Sequence, residues 1–124
     1  MKILYANKKV EKICSSFKEA KKFFGGDQLL ATKLLGRIQD LKDANILQDF
    51  MKINNARFHN LQNKGKNQYE GYFAIDVKTI RERWRLIIQP LDENENPFRP
   101  CHIDEIAKTV KIIQVLEVSD HYGM

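Results

Sequence analysis

The chain has 124 residues, 43% of them hydrophobic and 30% charged, and a formal net charge of +5 at pH 7. This length sets one domain, residues 1–124, with a single core, and the composition excludes a disordered chain. The longest apolar runs, such as Leu86-Ile87-Ile88, cannot span a bilayer, and "MKILYANKKVEK" lacks a signal-peptide apolar stretch, so the reading is cytoplasmic.

The elements follow from the hydrophobic period. "MKILY" reads as a first short strand. In "NKKVEKICSSFKEAKKFFGG", Val10, Ile13, Cys14, Phe17, Ala20 and Phe24 recur at steps of 3 and 4. That pattern predicts one helix with a single buried stripe, capped by Asn7 and ended by Gly25-Gly26. Asp27 caps a second helix, "QLLATKLLGRIQDLKDA", with Leu30, Leu34, Ile38 and Leu41 in register. The short turn between them predicts a helical hairpin. "ILQDFMKI" predicts a further helical turn.

After residue 56 the period becomes 2. "ARFHNL" and "YEGYFAIDV" read as strands around the turn "NKGKNQ"; "KTIRER" is a basic turn. "WRLIIQPL" is a strand ended by Pro90, "DENENPFRPCHIDEIAKT" an acidic loop, and "VKIIQVLEV" the last strand. The fold class predicted is α+β: an N-terminal helical hairpin packed on a twisted, mainly antiparallel sheet. Val10, Phe17, Leu34, Ile38, Trp84, Leu86 and Ile113 are expected among its buried residues.

Charge is unevenly placed. Residues 1–44 carry +5, residues 57–89 carry +4 and residues 90–124 carry −4. A basic middle with an acidic end suggests one face for a polyanion. Cys14 and Cys101 are the only cysteines; without a secretion signal or CxxC spacing they read as reduced thiols and not as a zinc site.

The series "RFHNL", "GYFAIDV", "WRLIIQP" and "VKIIQVLEVSDHYG" resembles the RelE/ParE superfamily of type II toxin–antitoxin toxins, in its HigB-like "plasmid maintenance killer" branch. The resemblance runs from about residue 8 to the end. It implies a RelE-like helical hairpin on a sheet and metal-independent cleavage of mRNA at the ribosome, with no cofactor. The implied partner is a HigA-like helix-turn-helix antitoxin that neutralises the toxin. Two departures stand out. Compact relatives end in Asp-Tyr-His, whereas this chain ends Asp120-His121-Tyr122. Its loop over residues 91–108 is also longer and more acidic, as in relatives labelled "killer suppression protein". Two other readings stay open: a ParE-like gyrase inhibitor that cuts nothing, and an inactive member that only binds its antitoxin or RNA.

Cleaving RNA without metal needs a base for the 2′-hydroxyl, a cation for the phosphate and an acid for the leaving oxygen. Arg85, between Trp84 and Leu86, should face away from both, on the open face of a central strand. There it can clamp a phosphate, as the resemblance implies, or pair with Asp76 or Glu117. His59, of a residue type whose reference pKa is near neutral, suits either acid–base work or a structural hydrogen bond; Arg57 shares its face by period 2. Asp120, His121 and Tyr122 complete the catalytic set, with the alternative of a frayed tail. Arg57, Lys64, Lys66, Arg81 and Arg83 are the candidate RNA-binding cations, set in or beside turns. Tyr69, Tyr72 and Phe73 interleave with these cations and can stack bases or pack the sheet.

Overall fold

A computed structural model of the chain describes residues 1–61 and 70–120. Strand β1 (Lys2–Tyr5) leads into helices α1 (Lys8–Ser15), α2 (Phe17–Phe23), α3 (Gln28–Asp43) and α4 (Leu47–Met51). A 3₁₀ turn (Asn54–Ala56) precedes β2 (His59–Asn60), β3 (Phe73–Asp76) and β4 (Arg85–Leu91). Short helix α5 (Ile103–Ile106) and strand β5 (Ile112–Ser119) finish the described chain. The class is α+β. Among the described residues the sheet has five strands, ordered β1-β5-β4-β3-β2. Neighbours are antiparallel except β1, which runs parallel to β5. No helix among the described residues is long and apolar enough to cross a membrane.

The first predicted helix is two helices. Ser16 sits between them in extended backbone (φ −132°, ψ 123°), closing α1 and capping α2 with its hydroxyl on the Glu19 N–H. Ser16-Phe17-Lys18-Glu19 has the Ser-x-x-Glu capping pattern, a start signal within a stripe that looked continuous. The break also resets the helical phase. Phe17, expected inside, is 43% exposed, while Val10, Ile13, Cys14, Ala20 and Phe24 are buried.

Gly25 and Gly26 take φ of 66° and 97° and end α2. The Gly26 N–H reaches the Lys21 carbonyl and the Gly25 N–H that of Lys22, at 2.8 and 3.1 Å, a Schellman closure that needs left-handed backbone. Asp27 then caps α3 on the Leu30 N–H. Leu34, Leu41, Leu47, Phe50, Phe73, Ile75, Leu86, Ile88 and Ile113 are essentially sealed, joining the helices to one face of the sheet. Trp84 is only half-buried, held edge-on against Phe23 and Phe24.

Strand β4 does not stop at Pro90 but continues to Leu91, with Pro90 opposite Ile113. Strand β3 pairs with β4 only as far as Ile88, so among the described residues Pro90 has a partner strand on one side alone, where a missing N–H is tolerated. The acidic loop contains the short α5.

Candidate functional site

The second face of the sheet carries the polar residues. Strand alternation puts Leu86 and Ile88 toward the helices and Arg85, Ile87 and Gln89 away from them. Cross-strand pairing aligns Asp76, Arg85 and Ser119 in one row and His59, Ala74, Ile87 and Glu117 in the next.

Asp76 is the centre. Its carboxylate accepts two hydrogen bonds from Arg57, Nε to Oδ2 at 2.8 Å and Nη2 to Oδ1 at 2.9 Å. Arg85 Nε lies 3.2 Å from Oδ1. The Asp76 carbonyl accepts from Arg37 Nε at 2.8 Å, and Arg37 Nη2 reaches the Asn55 carbonyl at 2.7 Å. Arg37 thereby ties α3 to β3 and to the 3₁₀ turn. Two guanidinium groups, Arg57 and Arg85, face one buried carboxylate, while Arg37 holds the carbonyl of the same residue and lies 3.8 Å from Asp40, so the Asp76 carboxylate meets one more positive charge than it can balance in a poorly solvated place.

Arg85 does face away from Leu86, but its face is not open there. It is 2% exposed. Its Nη1 donates to the carbonyls of Glu82 and Trp84, and its Nη2 to that of Ile80 at 3.1 Å. The turn after β3 folds over the guanidinium and takes up its Nη donors, while Nε faces Asp76 in an ion pair without a hydrogen bond. The pairing with Asp76 is the one realised.

Arg57 also differs from expectation. Strand β2 begins at His59, so a period of 2 does not reach Arg57. Arg57 closes the 3₁₀ turn in left-handed backbone (φ 48°, ψ 60°), costly for a side chain of its size. That conformation lets the side chain grip Asp76 while the carbonyl meets His59 Nδ1 at 2.6 Å. On its outer flank Arg57 borders a cavity of about 210 Å³ shared with Asn55, Lys78 and Thr79.

A carbonyl only accepts, so His59 Nδ1 carries the proton in this contact. In neutral imidazole the lone pair is then on Nε2, which is enclosed and meets no hydrogen-bond partner among the described residues. Burial pushes His59 below its ordinary value of 6.5, helped by the charges of Arg57 and Arg85. The Arg57 carbonyl and the Asp76 charge oppose that shift. The Arg57 carbonyl thus fixes the tautomer of a ring whose pKa burial lowers.

The other candidates divide. Arg81 and Arg83 are exposed, Arg83 lying 3.9 Å from Asp120 just past β5. Phe73 stacks on Phe58 inside the core, and Tyr72 packs with Leu61, Ala74 and Ile87 on the second face. Lys64, Lys66, Tyr69, His121 and Tyr122 lie outside the described residues. Arg37 is the residue that sequence reasoning missed. The available signal was its place three residues after Leu34 and four before Leu41, on the buried stripe of α3.

Compared with known proteins, the chain matches no family model, no curated protein and no solved structure.

Proposed function

We propose that the protein is the toxin of a type II toxin–antitoxin pair, acting in the cytoplasm as a metal-independent endoribonuclease on mRNA at the ribosome. A RelE-like arrangement is part of the same proposal, as is neutralisation by a HigA-like helix-turn-helix antitoxin. The sequence resemblance raises this reading, and one observation supports its chemistry: His59, with Nδ1 committed to the Arg57 carbonyl and Nε2 without a hydrogen-bond partner among the described residues, beside the guanidinium groups of Arg57 and Arg85.

In this reading His59 Nε2 takes the proton from the 2′-hydroxyl, whose oxygen attacks the adjacent phosphorus. The bond from phosphorus to the 5′-oxygen breaks, leaving a 2′,3′-cyclic phosphate. The exposed Arg81 and Arg83, with Lys78 at the cavity beside Arg57, meet backbone phosphates. Arg85 and Asp76 act as positioning residues beneath them, setting the electrostatic field around His59. The proton for the leaving oxygen is assigned to the pair His121/Tyr122, next to Asp120.

Expression of the chain alone tests the proposal. Growth arrest with fragmented mRNA, reversed by a co-expressed antitoxin, is the expected result. Arrest with intact RNA and blocked gyrase would replace it with a gyrase-directed activity, and unimpaired growth would remove the toxin reading.

A further inference from the structure

Strand β1 pairs with β5 only from Lys2↔Ile112 to Tyr5↔Val115. Strand β5 continues to Ser119 with β4 on its other side throughout. Past Val115 it therefore has a neighbouring strand on one side only among the described residues. The cause is local. The Ala6 N–H donates to the Val115 carbonyl at 3.0 Å, then Asn7 caps α1 and the chain turns away. At the same level Ile88 pairs with Val115 but Ile87 with Glu117, so Leu116 is an extra residue that increases the twist of the edge.

The edge left behind borders a groove whose apolar wall is Val10, Ile13, Phe23, Leu116 and Val118. A second groove, about 370 Å³, opens between α1 and α2 and shares Lys9, Ile13 and Phe23 with the first. Together they make one channel from the β5 edge into the cleft between the helices. Lys9, Lys12 and Lys22 rim the cleft, all exposed, against Glu19 and, at the strand end, Glu117. Six lysines and two glutamates lie between Lys8 and Phe23, so the rim belongs to a strongly basic helical surface.

We propose that this channel docks an acidic segment of a partner protein in which carboxylates alternate with apolar side chains. The segment adds as a strand beside residues 116–118 of β5 and carries its carboxylates to Lys9, Lys12 and Lys22. An unpaired strand edge supplies N–H and C=O groups at the spacing an extended peptide needs, and the apolar wall receives alternate side chains. A second copy of this chain would bring the same basic surface to the rim, so charge disfavours it. The inference does not depend on the chemistry proposed for His59, which lies on β2 at the opposite edge of the sheet.

The test uses the full chain and a fluorescein-labelled twelve-residue peptide alternating glutamate and valine. A lysine–valine peptide and a polyglutamate of equal length serve as controls. Saturable binding of the glutamate–valine peptide is expected, weakened by about tenfold or more in the triple variant Lys9→Glu/Lys12→Glu/Lys22→Glu. Circular dichroism checks that this variant keeps its fold. Hydrogen exchange should show new protection at residues 116–118. Absent binding, equal binding of polyglutamate, or protection elsewhere would overturn the proposal. Self-association that the peptide displaces would assign the channel to a second copy and overturn it equally.

Discussion

Arg57 and Asp76 are joined by two parallel hydrogen bonds of 2.8 and 2.9 Å, although one residue closes a 3₁₀ turn in left-handed backbone and the other ends a buried strand. The same Arg57 holds the His59 ring by its carbonyl. The pair links the electrostatic centre of the sheet to its candidate base, and the strained backbone at Arg57 is the local cost of that link.

Breaking this cluster should be expensive. Asp76→Asn leaves Arg57 and the sealed Arg85 without their counter-charge. Removing one partner of a buried pair costs about 3–5 kcal/mol, so a large drop in urea midpoint is expected for Asp76→Asn. Arg85→Ala should lose stability on a similar scale, since its guanidinium also satisfies the carbonyls of Ile80, Glu82 and Trp84. Wild-type midpoints in both variants would show that the cluster contributes little.

The helix break has its own test. Ser16→Ala removes the hydroxyl that accepts from the Glu19 N–H. A lost cap of this kind costs about 1 kcal/mol, read from chemical denaturation. Asn7→Ala and Asp27→Ala remove the equivalent contacts at α1 and α3 and should fall in the same range.

The class of the fold was legible because the apolar period changes from 3.6 to 2 near residue 56, and each period buries a different kind of face. The break at Ser16 was hidden because its apolar neighbours keep helical spacing on both sides, so only the capping pattern betrays it. Phe17 was misplaced for the same reason. His59 and Arg85 were legible as polar residues alternating with apolar ones. What covers Arg85 was not, because the turn that folds over it offers backbone carbonyls, which leave no mark in side-chain pattern. Arg37 and Asp76 were hard to read as partners because they meet across 39 residues of chain.

Stability should depend on pH through His59. Its folded pKa is below the ordinary 6.5, so the unfolded chain takes up the proton first as pH falls. The contribution is complete above about 6.5 and is lost as pH drops through the window beneath it, toward the folded value. His59→Gln should flatten this part of the stability profile. An unchanged profile would mean that the ring is not held neutral.

The two thiols should differ. Burial pushes Cys14 up to about 12, and the residue is 2% exposed, while Cys101 is only half-buried. A disulfide reagent at pH 8 should modify Cys101 in the native protein and Cys14 only on unfolding, which mass mapping of the labelled peptides would reveal. Fast native labelling of Cys14 would contradict the packing of α1.

The central claim is that His59 is the base of an RNA-cleaving site. The most direct measurement compares wild type with His59→Gln, at equal folded fraction, on mRNA in a translation extract, with cleavage products mapped by primer extension. The account predicts internal cuts leaving 2′,3′-cyclic phosphate ends, slowed by about 10²–10⁴-fold in the variant. A 2′-deoxy substitution at a cut position should abolish that cut. Equal rates for the two proteins, or no cuts by wild type, would contradict it.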